Sequence, residues 1–313
     1  MAIDWSKHIQ IDTTWVDAHL TNQLHHLKSK VIIRGYTIKA SGTTISAQAL
    51  AEKLSLMLPE YVFSKEKIAE HGERAALSLA QKYFGKRDPD AEGKFGELLL
   101  FALAESILGC KMVALKIRSL SNFSDQVKGG DGIFLGSYLT SDGANSPACF
   151  IGESKVVAKY SSGLDEAFES INRFHDETLT AQFSNTEYLV AKENIVFDDT
   201  TDLDEVYARL SPSEDIFKDQ VIVHPVLLMY NAASVKKLER KSANRDHLED
   251  LLKAEFSKKI SVYEKSIATK LERFPGIQRV YLDFFIIPTN SVDEFRNQLY
   301  YQIHGVPFAA NNA

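Results

Sequence analysis

Four ionisable side chains in the middle of the sequence are of types that could do chemistry together: Glu97, Asp131, Glu153 and Lys155. The last two sit in a run that is otherwise nearly all apolar, Ala148-Cys149-Phe150-Ile151-Gly152-Glu153-Ser154-Lys155-Val156-Val157. Such a run reads as a strand buried on both faces. Alternate side chains of a strand share a face. Glu153 and Lys155 therefore align with Cys149, Ile151 and Val157, while Phe150, Gly152, Ser154 and Val156 take the other side. Charges in that setting must be paired, hydrated or metal-bound, because a bare buried charge is strongly unfavourable.

Two carboxylates and an ammonium fit metal-assisted hydrolysis of a phosphodiester. That reaction needs a water made nucleophilic, a stabilised leaving oxygen and cations around a charged transition state. Mg2+ held by one or two carboxylates and waters supplies them. On this reading Asp131 and Glu153 are the metal ligands, helped by the backbone carbonyl of Ser154. Lys155 orients the water and neutralises phosphate charge, and Glu97 holds a second metal or a metal-bound water. A strand, a loop and a strand separate Asp131 from Glu153, so a hairpin can bring them together.

Each residue also has a plainer reading. Gly129-Gly130-Asp131-Gly132 could be only a hairpin turn, since Asp-Gly suits positive φ. Glu153 and Lys155 could be an ion pair on a half-exposed strand, and Glu97 a first-turn acid on a helix dipole. His175 reads as a satisfied core or surface histidine. Asp283, in the apolar run Tyr281-Leu282-Asp283-Phe284-Phe285, could pair with Lys116 and is a rival to Asp131. Lys159 and the run Lys236-Lys237-Leu238-Glu239-Arg240-Lys241 could meet nucleic-acid phosphates. The interleaved acids Glu239, Asp246 and Glu249 equally suit a solvated helical face.

The elements that must position these groups are an apolar helix from Lys94 to Leu108 carrying Glu97, a strand from Met112 to Ile117, a glycine-rich turn into a second strand after Asp131, and the 148–157 strand. A helix then begins at Ser161-Ser162-Gly163, with Leu164, Ala167, Phe168, Ile171 and Phe174 on one face. Val221 to Tyr230 and Val280 to Ile287 read as buried strands, and Ser242 to Phe274 as one long polar helix. Upstream, Val31 to Ile38 reads as a strand. Helical spacing from Ser46 is closed by Pro59, and a further helix runs from Ser64 to Gly85. The polar run Lys86 to Gly93 is the best linker, which divides the chain into an α-rich N-terminal accessory region, 1–88, and a catalytic domain, 89–313. The order implies an α/β fold with a central mixed sheet flanked by helices.

At 313 residues, 44% hydrophobic and 25% charged, the chain is neither disordered nor membrane-dominated. A net charge of -6 argues against a passive nucleic-acid coat. It leaves room for an enzyme whose metal-binding acids contribute to it. The two cysteines, Cys110 and Cys149, form no ligand cluster. With no signal-peptide pattern and no run long enough to span a bilayer, the expectation is a soluble cytoplasmic protein.

The pattern Gly130-Asp131-Gly132, then Gly152-Glu153-Ser154-Lys155, behind a helix bearing Gly96-Glu97, resembles the PD-(D/E)xK nuclease superfamily. Within it, the chain resembles the nuclease-subunit family of the Hachiman antiphage defence system (HamA). The resemblance implies a restriction-endonuclease-like core with Asp131, Glu153 and Lys155 as the catalytic set and Glu97 as its helix acid. It further implies a Mg2+ (or Mn2+) dependent DNase acting in a hetero-complex with a helicase subunit of the same system (HamB-like). Asp131 departs from the pattern in having no proline before it. A non-catalytic scaffold that binds the partner and a self-sufficient restriction enzyme are the rival expectations.

Overall fold

The apolar runs become the middle of one mixed eight-stranded sheet. A computed structural model describes residues 3–86, 93–114, 131–175 and 203–308. The strands are β1 (Leu20–Lys28), β2 (Val31–Ile38), β5 (Lys111–Ala114), β6 (Ile133–Leu139), β7 (Asn145–Ile151), β8 (Glu153–Val157), β9 (Val221–Asn231) and β10 (Tyr281–Thr289). Their order is β1-β2-β10-β9-β7-β6-β5, with β8 also on β9. Strands β2, β10, β9, β7 and β8 run parallel, and β1, β6 and β5 pair antiparallel with their neighbours. A separate ribbon joins β3 (Ala40–Ser41) and β4 (Thr44–Ile45).

The helices are α1 (Trp15–His19), α2 (Ala47–Leu56), α3 (Leu58–Val62), α4 (Lys65–His71), α5 (Glu73–Phe84), α6 (Lys94–Leu103), α7 (Tyr160–His175), α8 (Leu203–Arg209), α9 (Asp215–Lys218), α10 (Ala233–Lys241), α11 (Arg245–Arg273) and α12 (Val292–His304). Several differ from the sequence reading. Pro59 opens α3 instead of closing α2, since proline is tolerated in a first turn. The expected 64–85 helix breaks into α4 and α5 at Gly72, whose φ of +77° ends one helix and starts the next. The long polar helix begins at Arg245, capped by the Asn244 side chain on His247 N at 2.9 Å, and α10 precedes it as a separate element.

The N-terminal region is more than helical. It supplies β1 and β2, and β2 pairs with β10, so residues on both sides of the expected 88/89 boundary build the same sheet and share one apolar cluster. The boundary residues themselves, Lys116, the turn before Asp131 and the end of the Met112–Ile117 strand lie outside the described residues. Asp283 is fully buried on β10 and pairs with Arg34 of β2; the expected partner Lys116 lies outside the described residues. Arg34 Nε and Nη2 reach Asp283 Oδ1 and Oδ2 at 2.7 and 2.9 Å, and the Tyr138 hydroxyl donates to Oδ2 at 3.2 Å. Asp283 is thereby a structural acid on a different strand pair from Asp131.

Helix α6 covers one face of the β7–β8 strand and α7 the other. Both approach closely through glycine. A Cβ at Gly96 of α6 would lie 3.0 Å from Ser154 Oγ and 3.0 Å from Val156 Cγ2. A Cβ at Gly163 of α7 would lie 2.7 Å from Val157 Cγ2. The expected alternation of faces follows: Ser154 and Val156 look towards α6, and Glu153, Lys155 and Val157 towards α7. Cys110 and Cys149 are both buried free thiols. Among the described residues no helix is long and apolar enough to cross a membrane.

Candidate active site

The β7 and β8 strands keep one register against β9 across Gly152: Phe150 pairs with Val223 and Glu153 with Val226. Between them β9 carries Pro225, which has no N–H to give the ladder. The gap is filled from two sides. His224 Nδ1 lies 3.0 Å from the Ile151 carbonyl, and the Gly152 backbone turns to the entry of β6, donating to Gly132 O at 2.9 Å and accepting from Asp131 N at 2.8 Å. This local exchange of partners brings Asp131 next to Glu153.

Asp131 is buried and held by Ser154. The Ser154 amide and hydroxyl both donate to Asp131 Oδ2 at 2.7 Å. The sequence reading gave Ser154 a role through its carbonyl; the structure ties in its amide and its hydroxyl. Glu153 is 2% exposed. Its Oε1 meets Lys155 Nζ at 2.5 Å and its Oε2 accepts from Ser170 Oγ of α7 at 2.6 Å. Arg173 Nη2 in turn donates to Ser170 Oγ at 2.7 Å. Burial, with the Asp131 carboxylate beside it, pushes the Glu153 carboxyl up to about 7 against the opposing pull of Lys155 and Ser170. Burial works against the Lys155 ammonium, yet the Glu153 and Asp131 carboxylates hold its pKa above the usual lysine range.

Glu97 is buried in the first turn of α6 and accepts from the Tyr61 hydroxyl at 3.2 Å. Its neighbour Gly96 packs on Ser154, which places this end of α6 over the Asp131 side of the site. Among the described residues no group of three or more His, Cys, Asp or Glu side chains gathers closely enough to hold a metal. Two buried carboxylates, Asp131 at the entry to β6 and Glu153 on β8, are a hard-oxygen donor set all the same. They fit Mg2+, which takes one or two protein carboxylates and keeps its waters.

His175 and His224 form a neutral pair. The Ile151 carbonyl can only accept, so His224 Nδ1 carries its proton. His224 Nε2 then accepts from His175 Nε2 at 2.7 Å. Burial pushes His175 down to about 4 and His224 well below the usual range. The pair ties α7 to β9 and to the Ile151 carbonyl at the strand crossing.

The expected phosphate-contacting residues Lys159, Lys236, Lys237 and Arg240 are all exposed. They lie past the C-terminal ends of the parallel strands β8 and β9, whose end at Val157 is roughly 13 Å along the strand from Glu153 at about 3.3 Å per residue. Two of the acids interleaved with them are not solvated partners. Glu239 Oε1 accepts from Ile45 N at 3.0 Å and Asn290 Nδ2 at 3.1 Å, and Glu249 Oε1 accepts from Ala40 N at 2.9 Å. Both tie the C-terminal helices to the N-terminal strands.

Sequence reasoning missed Ser170 and Arg173. The only signal was a serine on the apolar stripe of α7, between Ala167 and Phe174, where a hydroxyl needs a partner. Compared with models of known protein families, the chain matches HamA over residues 10–303. No curated protein matches it.

Proposed function

The chain belongs to the HamA family of Hachiman antiphage defence, and on that premise we propose that it is the metal-dependent nuclease effector of that system, hydrolysing DNA phosphodiester bonds under the control of a helicase partner. The observation that carries this reading is the meeting of the buried carboxylates of Asp131, at the entry to β6, and Glu153, on β8, with the half-buried Lys155 ammonium, in a chain order that resembles a PD-(D/E)xK site.

Asp131 and Glu153 would hold Mg2+ or Mn2+, which when bound supplies charge neutralisation and an activated water. Ser154 fixes the Asp131 carboxylate through two donors to one oxygen. The Lys155 ammonium, kept protonated by its acidic neighbours, donates to the phosphate and orients the attacking water. Glu97, held by Tyr61, sits behind the Asp131 side and serves a second ion or a bound water. The apolar residues of β7, α6 and α7 exclude bulk solvent, which strengthens these interactions. Lys159, Lys236, Lys237 and Arg240 would meet backbone phosphates further along the substrate.

The test is incubation of the chain with DNA and Mg2+, with and without the helicase encoded beside it, in wild type and in a Glu153→Ala, Lys155→Ala double variant. The complex should degrade DNA and the double variant should not, with its melting transition still cooperative. Wild-type rates from the double variant would sink the site assignment.

A further inference from the structure

Resting on the reading that Glu153 holds a metal ion, we propose that Ser170 and Arg173 of α7 are positioning residues that fix the Glu153 carboxylate in its ligating orientation. Helix α7 runs back along the catalytic strand. Going down the helix, Gly163 lies against Val157 and Lys155, Ser170 against Glu153, and His175 reaches Ile151 through His224. The helix thus supports in turn each strand residue that faces it.

The direction of the hydrogen bonds is fixed by chemistry. A guanidinium has donors and no acceptor, so Arg173 Nη2 must donate to Ser170 Oγ at 2.7 Å. That leaves the Ser170 proton for Glu153 Oε2, at 2.6 Å. Arg173 therefore sets the rotor of a hydroxyl that is itself buried on the apolar stripe of α7. Glu153 is gripped at both oxygens, by Ser170 at Oε2 and by Lys155 at Oε1. A free glutamate side chain has several rotamers to lose, and a metal site tolerates only about 0.5 Å of misplacement. The Ser170–Arg173 grip on Oε2 would keep the plane of the carboxylate whichever oxygen held an ion. Partners of this kind behind a ligand carboxylate typically set metal affinity by about 10–100-fold.

The experiment is Mn2+ titration by calorimetry on the full chain at fixed pH, with thermal melts of the metal-free proteins beside it. The variants are Ser170→Ala, Arg173→Met and Arg173→Lys. Ser170→Ala and Arg173→Met should each weaken Mn2+ binding by about 10–100-fold, with apo melting temperatures close to wild type. Arg173→Lys, which keeps a donor for Ser170 Oγ, should recover most of the affinity. Arg173 is only half-buried, so its variants keep the proposal testable even if Ser170→Ala misfolds. Wild-type affinity in Ser170→Ala or Arg173→Met, or an affinity in Arg173→Lys as low as in Arg173→Met, overturns the positioning role. A wild-type chain that takes up no Mn2+ overturns the metal-site reading itself, and the proposal with it.

Discussion

The raised Glu153 carboxyl makes folding stability fall as pH rises, and removing that one charge should remove the slope. Unfolded, the side chain titrates near its ordinary 4.5; folded, it is pushed up to about 7. Between those values the folded chain binds the proton that the unfolded chain has lost. The contribution to stability is therefore fully present below 4.5 and is lost as pH rises through about 7. At about 1.4 kcal/mol per pH unit this amounts to about 3 kcal/mol. Urea unfolding of the metal-free wild type and of Glu153→Gln, in chelator at pH 5, 6, 7 and 8, measures it. The Glu153→Gln variant keeps a neutral side chain of similar size at every pH, so its curve lacks the Glu153 titration and any remaining difference in packing offsets the two curves by a constant. The diagnostic part is the gap that opens with pH: wild type should fall relative to the variant by about 3 kcal/mol. Saturating Mg2+ should close that gap at pH 8, because an ion bound only by the ionised folded state stabilises it by mass action. Parallel curves in chelator would refute the view that Glu153 carries an unfavourable buried charge.

Three further outcomes follow from the same geometry. Asp283→Asn leaves the partly buried Arg34 guanidinium without its fully buried counter-charge and should cost about 3 kcal/mol in denaturant unfolding, with DNA cleavage per folded molecule unchanged. Gly163→Ala gains about 1 kcal/mol in helix propensity but drives a methyl to within 2.7 Å of Val157 Cγ2. It should be net destabilised by overpacking of about 1–3 kcal/mol, and Val157→Ala should relieve that cost in a double-mutant cycle. His175, at about 4 when folded against an ordinary 6.5, contributes stability present above 6.5 and lost as pH falls through about 4. This acid limb, on the order of 3 kcal/mol, should be missing from acid unfolding curves of a His175→Leu, His224→Leu double variant.

That Glu153 and Lys155 share a face was legible because a strand alternates strictly, so two charges two residues apart in an apolar run must point the same way. The central strands were legible for the same reason. What sequence could not supply were partners set by distant pairing. Lys116 was the expected partner of Asp283, but Arg34 pairs with it because β2 lies beside β10. Glu239 and Glu249 looked solvated because charged helical faces usually are, yet they cap backbone amides of the N-terminal strands. Ser170 and Arg173 became meaningful only once α7 was seen to run along β8, a placement that depends on the missing side chain at Gly163.

The place of β10 has a consequence for how the chain comes off the ribosome. This strand is buried along its whole length between β2 and β9, and Arg34 and Asp283, which join it to β2, are 249 positions apart. At about 5–20 residues per second, roughly 10–50 s pass between synthesis of the two. During that interval β2 has an open edge and an uncompensated guanidinium. The α6–β9 segment that carries Asp131 and Glu153 is made before β10, yet β9 too lacks one neighbour until then. The last-made strand is thus the keystone, and nascent chains ending before it should remain bound to holding factors or open to protease.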